Sequence, residues 1–160
     1  MTPTRCGASG SSSTRPIGAT RSSPRAPRRA PRSLALPTTG RLWLRPFWDR
    51  LGELTADDRV ALAHALVACV GGIGADWLPR LEAAQQAFAR EGAVAYAVGC
   101  VLAERQLWGR ARVGLQQAAD DPLLPGATRR HAWRLLAQLA EQQGDENATV
   151  RCQAAAASIG

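Results

Sequence analysis

From Arg41 to Gly160 the apolar positions recur every three to four residues, and no segment alternates apolar with polar residues as a half-buried strand does. The pattern predicts helices throughout. In RLWLRPFWDRL, Pro46 predicts a break, with a short helix beginning near it. Thr55 followed by Asp57 and Asp58 reads as a helix start, with Thr55 as N-cap and Asp58 in the donor-rich first turn. That helix is expected to run to about Val70 and stop at Gly71 and Gly72. Asp76 is expected to cap the next helix, with Pro79 in its first turn. Trp77, Leu81, Ala84 and Phe88 then share one face, and Gly92 reads as the stop. Val94, Val98, Val101 and Leu102 point inward from a further helix ending near Arg105. Trp108, Ala111, Leu115 and Ala118 repeat the helical spacing up to Asp120 and Asp121. After the proline-bounded connection DPLLPGAT, Trp133, Leu136, Ala137 and Ala140 line a helix to Gln143. Gly144 and Asp145 make a turn, and Ala148, Cys152 and Ala155 line a last helix that frays at Ser158. The domain reads as all-α, built of antiparallel helix pairs.

Charge changes the picture only at one end. The net charge is +7, yet residues 1–40 hold seven arginines and no acid, while residues 41–160 hold thirteen of each. The excess therefore lies in the first forty residues. All twenty basic residues are arginine, as expected of a GC-rich genome, so the arginine count is weak evidence for phosphate binding. Residues 1–40 are rich in Ser, Arg, Pro, Gly, Ala and Thr and too poor in large apolar residues to offset their ordering entropy; they read as a disordered tail. Three origins compete: an arginine-rich binding arm, a transit peptide, or a wrong-frame or wrong-start translation joined to a genuine coding region near Gly40. The third fits best, because no nucleic-acid module accompanies the arm and the prolines of RSSPRAPRRAPRS oppose an amphipathic transit helix. Residues 41–160 read as the folded domain.

The chemistry-bearing residues are sparse. Cys6, Cys69, Cys100 and Cys152 stand far apart with no CxxC and no zinc-like histidine spacing, so free thiols are expected, with no metal and no cofactor. The uncharged run Val60–Ala75 falls short of the about 20 residues of a membrane span and contains His64; it reads as a buried helix. His64 reads as a packed or partly exposed histidine. His131, flanked by Arg129, Arg130 and Arg134, reads as solvent-facing. The GGIG at 71–74 is a helix terminator, since it lacks the GxGxxG pattern and follows no strand. No Ser/His/Asp or HExxH arrangement is present, so an enzyme is the least expected class.

The helix pairs look like one unit used more than once. Gly99 and Ala111, with Leu115, Ala118 and a proline soon after, follow the small-and-large pattern of the tetratricopeptide repeat. Small residues let the two helices of a hairpin approach closely, and larger ones fill the gaps beside them. Arg130–Ala155 is similar, with Trp133 at the repeat's tryptophan position. Both units depart by a residue in places from the repeat of about 34 residues. The pair at Asp57–Glu91 reads as a more divergent copy. The expected architecture is a short α-solenoid of tetratricopeptide hairpins. In such hairpins the first helix lines a concave groove, which here assigns Tyr96, Cys100 and Glu104 from one unit and Arg134, Gln138 and Glu141 from the next.

QLWGRAR, preceded by GCVLAER and followed by a helix, resembles the C-terminal part of the HemY family, the proteobacterial repeat proteins associated with haem biosynthesis (not the flavoenzyme of the same name). The likeness covers roughly residues 57–155 and is densest at 95–120. It implies a scaffold or regulatory protein associated with the inner membrane, whose partners are enzymes of tetrapyrrole synthesis. Family members carry N-terminal transmembrane helices, and no segment here matches them. Two other functions stay open: nucleic-acid binding through the arginine-rich tail, and haem or porphyrin handling through His64 or His131. Within QLWGRAR itself, Trp108 is expected to plug the space between helices and Gly109 to relieve crowding beside it, with Arg110 and Arg112 facing solvent.

Overall fold

In a computed structural model of the chain, the described residues are 36–160. They form seven α-helices: α1 (Leu36–Trp48), α2 (Ala56–Ala68), α3 (Leu78–Ala87), α4 (Gly92–Glu104), α5 (Trp108–Asp120), α6 (Gly126–Gln142) and α7 (Glu146–Ser158). Three one-turn 3₁₀ segments join the first few, and no strand occurs among the described residues. The all-α expectation therefore holds. α1 begins at Leu36, inside the segment whose composition predicts disorder; the rest of that expectation falls on residues 1–35, outside those described.

Local chemistry explains most boundaries and corrects several. Pro46 does not start a helix but lies inside the last turn of α1. Proline removes the N–H that would donate to the Leu42 carbonyl, at an exposed turn, and beyond it the Asp49 N–H donates to the Arg45 carbonyl at 3.0 Å. Thr55 caps α2 as expected: its hydroxyl accepts the Asp58 N–H at 3.2 Å, and the Asp58 carboxylate accepts the Thr55 N–H at 3.4 Å, a reciprocal capping box. α2 ends at Ala68, ahead of Val70, because a 3₁₀ turn over Val70–Gly72 takes up the following residues. Asp76 does not cap α3. It sits in the 3₁₀ turn Ala75–Trp77, which leads directly into helical geometry, so no extended residue precedes α3 from which a side chain could fold back. Pro79 does occupy the first turn.

Gly92 opens α4; it does not close α3. The reason comes from the far end of the next helix. The Asp121 carboxylate accepts the Gly92 N–H at 3.1 Å and, through its other oxygen, the Leu123 N–H at 2.9 Å. A Cβ at Gly92 would collide with that carboxylate. One acid thus caps the N-terminus of α4 and turns the chain leaving α5.

α4 is the centre of the fold. Every residue from Gly92 to Leu102 is buried, and α2, α3, α5 and α6 all pack around it. GAVAYAVGCVL lacks a polar face because it has no solvent side. The closest pairing is with α5. A Cβ on Gly99 would lie 3.0 Å from the Leu115 nitrogen and 2.9 Å from its Cγ, and a Cβ on Gly114 would lie 2.9 Å from the Ala95 carbonyl oxygen. Ala111, Leu115 and Ala118 are fully buried, as their spacing predicts. Gly114, facing Gly99, is the contact that the sequence reading lacks.

α4–α5 and α6–α7 are both hairpins closed by the same device. After α4, Gln106 adopts left-handed geometry (φ 59°), its N–H donates to Ala103, and the Leu107 N–H donates to Leu102 at 2.9 Å. After α6, Gly144 (φ 72°) donates to Glu141, and the Asp145 N–H donates to Ala140 at 2.9 Å. Both are Schellman turns, which satisfy the last carbonyls of the first helix while reversing the chain. Asp145 then caps α7 by accepting the Ala148 N–H. QLWGRAR is therefore a turn followed by the first residues of α5. Trp108 packs half-buried on the core, but nothing lies within 4 Å of a Cβ at Gly109, so that glycine relieves no crowding.

Candidate functional site: the cleft between α2, α4 and α6

Three helices meet over Tyr96. The position is deep in α4, and the side chain is only 4% exposed. Its hydroxyl lies 2.6 Å from Nδ1 of His131 on α6. The rings of His64 (α2) and His131 stand edge-on to the tyrosine on either side, each with its centroid 5.8 Å away. Nε2 of His64 lies 2.7 Å from the hydroxyl of Thr128, a buried residue in the first turns of α6. His64, Tyr96, Thr128 and His131 thus clasp α2, α4 and α6 together.

Burial, and then the neighbouring charges of Arg134 and His64, push the titration of His131 below its ordinary range. With the imidazole neutral, its tautomer sets the direction of this bond: the Tyr96 hydroxyl donates to a bare Nδ1, and a protonated Nδ1 donates to the phenol oxygen. Burial also pushes the Tyr96 hydroxyl upward and holds the Cys100 thiol up to about 12. Cys100, one turn after Tyr96, is therefore a protonated, unreactive thiol at neutral pH. His131 is not the solvent-facing residue its arginine neighbours suggest. At the spacing of α6, positions 128, 131 and 135 face α2 and α4, and the arginines splay to either side.

Beside this clasp lies a cleft of about 390 Å³. Val67 and Val70 form one wall, Leu135 and Leu139 the other, and Cys100 and Ala103 come from α4. Glu104, Gln138 and Gln142 supply the polar groups at its edge. Of the six residues assigned to a groove from sequence, the structure brings Cys100, Glu104 and Gln138 together here. Tyr96 is buried and spent on the clasp. Arg134 is exposed and lines a separate depression with Arg130 and Ile159 near the end of α7. Glu141 is exposed and does not line the cleft. Trp133 lies half-buried at a different cleft, against Cys152 and Leu136.

His131, Leu135, Gln138, Leu139 and Gln142 are the α6 residues that do line it, and they follow the i, i+4, i+7, i+8, i+11 spacing of a single helix face. That stripe was legible in the sequence. The reading through Arg134 and Glu141 is rotated from it by about one position. Among the described residues no three His, Cys, Asp or Glu side chains are placed to share a metal ion, and no helix is long and apolar enough to cross a membrane. Comparison of the chain with protein-family models, with curated proteins and with solved structures finds no match.

Proposed function

We propose that the α4–α7 region is a pair of tetratricopeptide-type hairpins in a protein-interaction module of the HemY type, acting as a scaffold or regulator of haem synthesis. Its partners would be enzymes of tetrapyrrole synthesis, held in the α2–α4–α6 cleft, with inner-membrane association as in that family. The observation that carries the reading is the repetition of one hairpin design. Both units end their first helix in the same Schellman turn, at Gln106 and at Gly144. The first packs its helices through glycine, and Ala118 and Ala156 are buried late in the second helix of each. Measured from turn to turn, the spacing exceeds the about 34 residues of the tetratricopeptide repeat; α6 has 17 residues where α4, α5 and α7 have 13 each.

The test uses the full chain as bait in a proteobacterial lysate, beside Glu104→Arg and Gln138→Arg. Both positions are exposed, so helicity should be unchanged by circular dichroism. The expected result is retention of tetrapyrrole-synthesis enzymes by the parent and loss of them by either variant. Equal retention by parent and folded variants would reject the cleft, and absence of those enzymes from the parent would reject the pathway.

A further inference from the structure

α1 uses only one side of itself. Gly40 lies against the Cys69 side chain, and Leu44 and Trp48 pack on the core. On the outer side Leu42, Trp43 and Phe47 are 62, 72 and 55% exposed. The other exposed large apolar residues, such as Val113, Leu123 and Val150, lie singly on separate elements. Charge is uneven along the sequence as well. Residues 1–48 contain nine arginines and no acid. The first acid, Asp49, is held by Arg80 at 2.8 Å, and the next, Glu53, lies 3.8 Å from Arg50.

We propose that the outer face of α1 docks on an anionic lipid surface. A helix presenting Trp43, Leu42 and Phe47 beside Arg45, with no acid within the helix itself, matches an interface where rings enter the headgroup region and a guanidinium meets phosphate. A second copy of the chain is a poor occupant, since an isologous contact would bring Arg45 of one copy toward Arg45 of the other with no acid in either α1 to offset them. Nucleic acid would engage the arginines but give Leu42 and Phe47 nothing to bury against. The proposal rests on α1 alone and is independent of the α2–α4–α6 cleft.

The experiment is co-sedimentation of the full chain with vesicles of phosphatidylcholine alone and of phosphatidylcholine mixed with phosphatidylglycerol, at rising salt. The parent should bind the mixed vesicles and release them as salt rises. Trp43→Ser combined with Phe47→Ser should weaken binding about tenfold or more, and Arg45→Gln about fivefold. All three side chains lie outside the buried core, so thermal unfolding should change little. In the unsubstituted chain, brominated lipid should quench tryptophan emission. Several results would overturn the proposal: unchanged binding by the Trp43/Phe47 variant, equal binding to uncharged vesicles, absence of quenching, a parent dimer that this variant dissociates, or α1-dependent binding to duplex DNA without binding to vesicles.

Discussion

Two glycines of α5, five residues apart, should respond to alanine with opposite signs. Gly109 is exposed in the first turn, and a Cβ there meets nothing within 4 Å. Gly109→Ala removes backbone freedom from the unfolded chain without a clash, and should stabilise by about 0.5–1 kcal/mol. Gly114 shares the same helix but faces α4. Its added Cβ would sit 2.9 Å from the Ala95 carbonyl oxygen and 3.4 Å from the Gly99 Cα. Both are backbone atoms, so no side chain can swing aside. α4 cannot retreat, being packed by α2 and α6. α5 must therefore move outward, at the about 1–3 kcal/mol of overpacking, offset by up to about 1 kcal/mol of helix propensity. A net loss of about 1–2 kcal/mol follows, and a gap of about 1.5–3 kcal/mol between the variants. In a chain this size that separates their melting temperatures by about 6–10 °C. Thermal unfolding followed at the helical circular-dichroism band measures it. If Gly114→Ala melts at or above the parent temperature, the α4–α5 contact is not as close as described and the argument fails.

Four further outcomes follow from the same contacts. Asp121→Ala should cost about 1–2 kcal/mol in urea unfolding, because the N–H groups of Gly92 and Leu123 both lose their acceptor; a neutral effect would mean that water replaces the cap. Gln106→Gly should gain about 0.5–1 kcal/mol, since a non-glycine residue is held at φ 59°; a loss would show that the glutamine side chain contributes more than its strain costs. The folded chain holds His131 below its ordinary titration range. Between that lowered value and about 6.5 the unfolded chain binds the extra proton. Stability is then full at neutral pH and falls as the solution is acidified below about 6.5, a slope that His131→Gln should flatten and that an unchanged slope would contradict. Finally, iodoacetamide should label Cys69 and Cys152 of the folded chain before Cys100, whose thiol is 5% exposed and held up to about 12; mass spectrometry showing Cys100 first would refute that burial.

The helices were legible because their information is local. Thr55 and Asp58 cap each other three residues apart, and Ala111, Leu115 and Ala118 keep the spacing of one face, so both readings survive contact with the structure. The misreadings share a cause. Gly92 reads as a stop from its neighbours, but the Asp121 carboxylate that makes it a start is distant in sequence. Gly109 stands beside a tryptophan and invites a packing role, while the packing glycine is Gly114, whose reason lies on another helix. His131 is flanked in sequence by arginines, but its hydrogen-bond partner and ring contact is Tyr96, which meets His64 through another ring contact. In each case the deciding partner comes from another element, which periodicity does not register.

The clasp also decides what chemistry the cleft has left to offer. Tyr96 with Nδ1 of His131, and Thr128 with Nε2 of His64, form the two hydrogen bonds that hold α2, α4 and α6 together, so those atoms are committed to the clasp. Cys100 is protonated. Recognition therefore falls to Glu104, to the half-buried His131 and to the amides of Gln138 and Gln142, above walls of Val67, Val70, Leu135 and Leu139. Among the described residues no arginine lines this cleft. The proposed partner segment would then place an apolar side chain between the valine and leucine walls and a cationic or amide donor against Glu104. Glu104→Gln, which keeps shape and removes charge, separates these contributions. It should weaken a partner carrying a lysine or arginine at that point about fivefold to tenfold and leave an amide-bearing one nearly unchanged. Because the clasp does not involve Glu104, neither the melting temperature nor the His131-dependent pH slope should move with it. A variant that altered those two properties together with binding would show that cleft and clasp are one unit, and that the recognition surface had been drawn too narrowly.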